Sequence, residues 1–416
     1  FFDEKGDILT EEGKITTDHI GIKTVTGDKT NYYDVNVPAD TQFEKTDTGL
    51  KITIKDDDSY MSIGTMTDAS QLNQFYLHGY AFVTDTNVAY DFDESTSKIT
   101  SSYNLTTKVK RDGFTDQSYQ CMFPHQWDKY ASDQDLTKLN IIYDSPRGNL
   151  KLYDGNSFKM QDTFYGMVPE FTAPTNGEYD ENELLSYLDN LDQGTQGNLV
   201  GSDAYWQGKS LHPLGMGVLV ADQVGNTEYR DKFLGKMKTI LTDWLTYSGE
   251  GDQAFFFYDK NWGTLYYKDS EFGANRDISD HHFTYGYFVF ACSVLATYDD
   301  EFYQDYKEMI DLIVRDYASP DKNDNMFCRY RSFDPYEGHS WAGGYADNDD
   351  GNNQEAGSES LFGWVGAYLW ATKREDKKMR DSAIFGFTTE LNAVEHYWFN
   401  YYGKSNYGLD HSGCPE

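Results

Sequence analysis

Long apolar runs are missing from this chain: no stretch approaches the ~20 consecutive apolar residues that span a bilayer, so no membrane helix is expected. Basic residues are scarce, 35 against 69 acidic ones, and a formal charge of -34 disfavours nucleic acid, anionic membranes and polyanionic polymers as partners. A neutral partner fits best, although acidity on this scale is also a plain solubility device. The four cysteines, Cys121, Cys292, Cys328 and Cys414, show no CxxC or metal-ligand spacing and are too few for a disulfide framework. Cys292 lies in the apolar run FVFACSVLA and reads as a buried thiol. The first residues, Phe-Phe-Asp-Glu, start abruptly and lack the basic and apolar regions of a signal peptide. The nine histidines include no HExxH, and adjacent His281 and His282 are badly placed to face one ion, so neither a catalytic metal nor a cofactor is expected. GxSxG, GxGxxG and P-loop patterns are absent as well.

What the chain does have is aromatic residues, 16% of the total, with 34 Tyr, 26 Phe and 8 Trp. These rings can build the core that a hydrophobic content of only 38% would otherwise leave thin. The tyrosines admit two readings, half-buried packing or stacking platforms for flat neutral ligands such as sugars. At 416 residues the chain exceeds what one core usually serves, so two domains with a small connector are expected.

Residues 1–165 read as strands. Segments 49–55 (GLKITIK), 60–66 (YMSIGTM), 75–86 (FYLHGYAFVTDT) and 98–110 (KITSSYNLTTKVK) favour Thr, Ile, Val and Tyr and are broken by Asp, Asn, Gly and Ser. This spacing predicts an antiparallel β-sandwich. Residues 166–202 form a polar, acidic connector with one short helix. From 203 to 416 helical patterning takes over, with helices predicted near 205–222, 229–247, 282–298, 301–317, 355–372 and 376–394. Consecutive helix pairs joined by long loops point to an α/α toroid, short of the twelve helices of a full ring.

With other chemistries removed, carboxylates are the candidates. Asp280 stands where a helix would begin, in Asp277-Ile-Ser-Asp280-His281-His282-Phe-Thr284-Tyr285-Gly-Tyr287. Asp there is ordinarily an N-cap, but the crowd of His and Tyr behind it exceeds what a cap requires. Glu355 and Glu359 are four apart, so on a helix they would share one face with Cβ atoms about 5–6 Å apart. No basic residue stands at 351, 352, 358, 362 or 363 to relieve them, and the run at 361–370, LFGWVGAYLW, is apolar nearly all round. Two unpaired glutamates at the mouth of a buried helix are costly unless they serve a function. A third segment, Glu337-Gly338-His339-Ser340-Trp341-Ala342, precedes the acidic loop Asp347-Asn348-Asp349-Asp350-Gly351. An EF-hand register would put Ala346 first in that loop, so a solvated turn is expected rather than a calcium site.

These segments resemble the signature stretches of glycoside hydrolase family 81: Asp280-His-His-Phe-Thr-Tyr-Gly-Tyr287, Gly338-His-Ser-Trp-Ala342 and Asn352-Asn-Gln-Glu-Ala-Gly-Ser-Glu359. Phe123-Pro-His-Gln-Trp127, Ser145-Pro-Arg-Gly-Asn-Leu-Lys151, Tyr205-Trp-Gln-Gly-Lys209 and Glu390-Leu-Asn-Ala-Val add to the resemblance, in the same order, over about residues 35–400. The resemblance implies a secreted, inverting endo-β-1,3-glucanase acting on laminarin- or curdlan-type glucan. It also implies an N-terminal β-sandwich, a small α/β domain and a C-terminal (α/α)6 toroid. Asp280 then matches the general acid, Glu355 the general base and Glu359 a second essential glutamate. The family usually has His where Thr284 stands, and two serines where Ala356 and Gly357 stand. Its catalytic regions are longer than this chain, so the first sandwich strands and last toroid helices are expected to be absent.

Trp206, Trp262, Tyr285 and Trp341 are the candidate sugar-stacking rings, and Lys209, His282 and His339 the candidate polar contacts, with core packing as the competing assignment for each. A monomer binding neutral glucan is expected. Two rivals stay open: a polysaccharide lyase using Tyr285, His282 and Arg276, and a glucan-binding protein without activity.

Overall fold

The computed structural model describes residues 1–3, 14–55, 59–134, 136–167, 180–194, 203–344, 349 and 351–406. The chain divides into two compact units. One comprises Phe1–Ala89, Thr100–Gln161 and Asn400–Glu416, and the other Tyr90–Ile99 and Asp162–Phe399. The sequence pattern places everything after 203 in the helical region, whereas residues 400–406 cluster with the strand-rich unit.

In the first unit β1 (Lys14–Thr26), β2 (Lys29–Thr46) and β3 (Gly49–Thr53) form an antiparallel meander, and β4 (Ser62–Met66) pairs with β2. Helix α1 (Leu72–His78) follows, then β5 (Ala81–Asp93), β6 (Lys98–Val109), β7 (Tyr119–Met122) and α2 (Pro124–Trp127). After these come β8 (Thr137–Ser145), β9 (Gly148–Asp154) and β10 (Ser157–Thr163). The strands β7, β9 and β8 form a second antiparallel sheet, and β10, β6 and β5 a third. Alternation predicts a strand from residue 75, but residues 72–78 are helical. A capping box on Asp68 starts a turn there, and Leu72 and Phe75, three apart, bury together with Met66, Ile141 and Leu152.

The second unit is mostly helical: α3 (Glu181–Gln193), α4 (Ala204–Gln223), α5 (Thr227–Trp244), then the hairpin β11 (Phe256–Asp259) and β12 (Thr264–Tyr267). Next are α6 (His281–Tyr298), α7 (Asp300–Ala318), the short pair β13 (Phe333–Asp334) and β14 (His339–Ser340), α8 (Gly357–Lys373) and α9 (Lys377–Tyr397). Side chains of Asp203, Asn226, Asp299 and Asp376 cap α4, α5, α7 and α9, which is why these helix starts were legible. Helix α6 packs against both α4 and α8, and every residue from His281 to Ala296 is buried. Such a helix must be apolar all round, whereas α7, on the outside of its hairpin, shows a one-sided apolar stripe. Among the described residues α4/α5, α6/α7 and α8/α9 form three consecutive helical hairpins. Cys292 is buried on α6, as its apolar surroundings predict. Most of the connector, the acidic loop except Asp349 and Gly351, and Cys414 lie outside the described residues.

Candidate active site

The N-terminal ends of α6 and α8 bring three carboxylates together, and α4 supplies side chains that bind one of them. Asp280 immediately precedes α6 in the left-handed region, φ 61° and ψ 16°. That backbone is costly for a non-glycine residue, and it is held by a hydrogen bond from Asp280 N–H to Ala342 O of 2.9 Å. Ala342 N–H in turn donates to Asn353 O at 2.7 Å, and Gly343 and Asn352 exchange hydrogen bonds of 3.2 and 3.1 Å. The three sequence segments are thus stitched into one frame. Asp280 occupies the helix-cap position, yet its carboxylate makes no capping hydrogen bond. The cap expectation is corrected: a left-handed backbone turns the side chain away from the helix N–H groups and leaves it for other work.

Burial, followed by the charges of Glu355 and Glu359, pushes the Asp280 carboxyl up to about 7. It is therefore largely a neutral acid below neutrality, facing two carboxylates.

Glu355 is exposed and lies before α8, which begins at Gly357 after Ala356. The expected shared helical face of Glu355 and Glu359 is corrected accordingly. Asn353 Nδ2 donates to Glu355 Oε2 at 3.4 Å. Glu359 does sit in the first turn of α8, but it is not unpaired. Its Oε1 accepts from Lys209 Nζ and Tyr205 Oη, both at 3.2 Å, and from Tyr287 Oη. Lys209 and Tyr205 come from α4 and Tyr287 from α6, so no scan of local sequence could have found this pairing. Burial and the charge of Glu359, then of Asp280 and Glu355, push the Tyr205 hydroxyl up to about 12. One phenol thus feels all three carboxylates. Gly357, where the family usually has Ser, packs its bare Cα toward α9; a Cβ there would stand 3.1 Å from Val394 Cγ2.

Beneath Asp280 lies an ion network that the sequence did not announce. His281 Nδ1 meets Asp316 Oδ1 at 2.8 Å and its Nε2 meets Ala274 O at 3.0 Å. Asp316 also accepts from Thr264 Oγ1 (2.8 Å), Leu265 N–H (2.7 Å) and Arg331 Nε (3.2 Å). Burial opposes the Asp316 charge, but Arg331 and His281 hold it below the usual carboxylate range. Both nitrogens of His281 face acceptors, so the ring is an anchor for the turn and not a free base.

Of the candidate contacts, Trp206 is 46% exposed, its Nε1 donating to Glu271 Oε2 at 2.9 Å beside the exposed Phe272. Lys209 is half-exposed at Glu359, and Trp341 is partly exposed next to Ala342. Trp262 is exposed on the β11–β12 turn, not on the helix ends that hold the carboxylates. Three assignments are corrected by burial. Tyr285 is fully buried with its hydroxyl donating to Leu265 O at 2.7 Å. His339 is buried between Trp341 and Trp398. His282 is buried, and desolvation, then His281, pushes its ring down to about 3. None of the three has surface to offer a sugar. Tyr205, Tyr287, Asp316 and Arg331 are the residues that sequence reasoning missed; the first two stand inside quoted motifs, the last two in none.

Residues 185–410 match the model of the glycosyl hydrolase family 81 C-terminal domain. The chain belongs to glycoside hydrolase family 81. It is 37% identical over 349 residues to a glucan endo-1,3-beta-D-glucosidase of Acetivibrio thermocellus, covering 83% of this chain and 44% of that protein. A second enzyme of that name, from Thermobifida fusca, is 34% identical over 372 residues, 89% of this chain and 48% of its own length. Among solved structures, a mutant of a Clostridium thermocellum family 81 glycoside hydrolase superposes with a TM-score of 0.85 at 34% identity, covering 95% of this chain and 54% of that one. The family 81 chain described here therefore spans about half the length of these relatives.

Proposed function

We propose that this family 81 chain hydrolyses internal β-1,3-glucosidic bonds of neutral laminarin- or curdlan-type glucan by a single displacement with inversion. Asp280 donates its proton to the leaving glycosidic oxygen as the C1–O bond breaks. A water attacks C1 from the opposite face and gives its proton to Glu355. Glu359, held in place by Lys209, Tyr205 and Tyr287, helps to raise the Asp280 carboxyl and holds the water side of the site. Trp206, Trp341 and Lys209 are the proposed sugar contacts, with Trp262 as a more distal ring. The observation that carries the reading is the Asp280 carboxyl, freed from capping and pushed up to about 7 opposite Glu355 and Glu359. An acid and a base held apart by environment are what glycoside hydrolysis needs. The names of the relatives support the same substrate. The reading extends to a secreted monomer whose three hairpins belong to an (α/α)6 toroid and whose strand-rich unit includes a β-sandwich.

A lyase reading lacks support, because Tyr285 and His282, its candidate bases, are buried. The decisive experiment measures reducing-sugar release from laminarin by the unaltered chain, Asp280→Asn and Glu355→Gln. Each substitution is expected to lower kcat by about 10²–10⁴-fold, the usual share of a general acid or base. NMR of the first-formed product should show the α-anomer, and a crystal with bound oligosaccharide should place the two carboxyls about 6.5–9.5 Å apart. Product that is first β would overturn inversion. Release that survives in Asp280→Asn would remove Asp280 from the mechanism, and binding without release by the unaltered chain would make it a glucan-binding protein.

A further inference from the structure

The first unit carries a groove of about 660 Å3, lined by residues of that unit alone. Its walls include Phe75, Phe82, Tyr119 and Tyr143, and Asp34 and Ser62 reach into it from β2 and β4. The polar floor is unusual. Asp34 and Asn36 are 2% and 0% exposed, and Asn36 Nδ2 donates to Asp34 Oδ2 at 2.5 Å and to Ser62 Oγ at 3.3 Å. Ser62 Oγ itself donates to Gly79 O at 2.6 Å. After these bonds are made, Asp34 Oδ1 and Asn36 Oδ1 remain buried without a well-formed hydrogen bond, the Asp34 carboxyl being approached by the backbone N–H groups of Asp34 and Gly64. An orphaned buried acceptor costs about 1–3 kcal/mol, so two side by side call for an explanation.

Two glycines make the arrangement possible. A Cβ on Gly64 would stand 2.1 Å from Asp34 Oδ1, and one on Gly79 would stand 2.3 Å from the Asn36 amide. Any other residue at either place would push these polar groups out of position. Burial pushes the Asp34 carboxyl above its ordinary range, against the lowering effect of its hydrogen bond from Asn36. The groove lining contains no Lys or Arg, and its one histidine, His78, is turned to Gln117 O at 2.9 Å and to Asp154 at 3.7 Å. The Tyr119 and Tyr143 hydroxyls are already committed to Gln74 O and Thr65 O, at 3.2 and 2.6 Å. These two rings therefore present apolar surface. The groove thus combines buried acceptors with aromatic walls and a lining free of lysine and arginine, Lys110 Nζ standing 5.8 Å from the Phe82 ring centroid. A pyranose ring supplies the complement, hydroxyl donors on its rim and an apolar C–H face.

We propose that this groove is a second carbohydrate site, outside the carboxylate cluster, which takes a neutral glucosyl unit with a sugar hydroxyl donating to Asp34 Oδ1 and a ring face against Phe82. The choice of glucose over another neutral sugar rests on the proposed function; the existence of the site does not. A site here would hold glucan on the chain independently of cleavage.

The test titrates a laminari-oligosaccharide into the whole chain carrying Asp280→Asn, so that ligand is not consumed, with calorimetry and NMR as readouts. Phe82 is half-buried at the groove wall, so Phe82→Ala should fold; Asp34→Asn, nearly isosteric, is the second variant, and melting curves check both. Two binding events are expected, one of them weakened at least tenfold by either variant. With Asp280 intact, Phe82→Ala and Asp34→Asn should release reducing sugar from soluble laminarin at the unaltered rate. A single binding event, or two that ignore both substitutions, would overturn the site. Binding that is sensitive to Phe82 in a chain with no hydrolysis would leave the groove standing and sink the catalytic reading instead. Light scattering that finds a dimer dissociated by Phe82→Ala would assign the groove to self-association and refute the sugar.

Discussion

Asp280 is an ordinary aspartate made into an acid by where its backbone puts it. A cap in the usual extended conformation would have spent the carboxylate on helix N–H groups, which favour the charged form. The left-handed turn removes those donors, and burial with Glu355 and Glu359 opposite does the rest. In its proposed role as general acid it must be protonated, so kcat/KM should fall as pH rises through about 7. Glu359→Gln removes one of the two charges that raise it. The basic limb of the residual kcat/KM profile, or the Asp280 carboxyl followed by NMR, should then shift to lower pH; a limb that stays in place would mean that Glu359 does not act on Asp280. The same shift affects stability. Because the folded value lies above the ordinary 3.8, the carboxyl's contribution is lost as pH rises from there through about 7. Asp280→Asn should therefore raise the melting temperature by a few degrees above neutral pH and leave it nearly unchanged at pH 4.

At the level of elements, the site depends on how closely α6 and α8 approach. A Cβ on Gly286 would lie 2.7 Å from Gly363 Cα, and one on Gly363 would lie 2.8 Å from His282 O. Backbone thus meets backbone where the two helices cross, a few residues from Asp280 on α6 and from Glu359 on α8. Gly363→Ala must push the helices apart, since no flexible side chain is there to yield. Overpacking of this kind destabilises by about 1–3 kcal/mol, readable as a lower denaturant midpoint. Hydrolysis measured well below the melting temperature should also fall, because Asp280 and Glu359 ride on different helices. Unchanged activity in a destabilised Gly363→Ala chain would show that the crossing does not set their spacing. The helix starts were legible because Asp and Asn caps precede apolar periodicity. The start of α8 was not, since Ala356 offers no capping side chain and the apparent spacing of Glu355 and Glu359 imitates a helix.

Across the whole molecule, the excess of acid sets a background of self-repulsion. With a formal charge of -34, added salt should raise the melting temperature, because ions at about 0.1 M screen charges beyond ~10 Å. Melts at low and moderate sodium chloride check this, and a fall would mean that ion pairs such as Arg374–Asp311 outweigh the repulsion. Among the described residues no helix is long and apolar enough to cross a membrane. Family 81 membership and the division into a strand-rich and a helical unit agree with a composition rich in aromatics and poor in basic residues.

By itself the sequence determined the local structure and the chemistry on offer. Apolar period, cap residues and β-branched runs act over a few positions, so helices α4 to α9, the strand-rich character of residues 1–165 and the choice of carboxylates could be read from them. Only the tertiary structure decided which groups are accessible and which are paired. Lys209 and Glu359 are 150 residues apart, and no local pattern records that they touch. Tyr285, His282 and His339 look like binding residues in a line of text and are core in three dimensions. Burial is a property of what packs around a side chain, and for this protein it separates the acid from the cap.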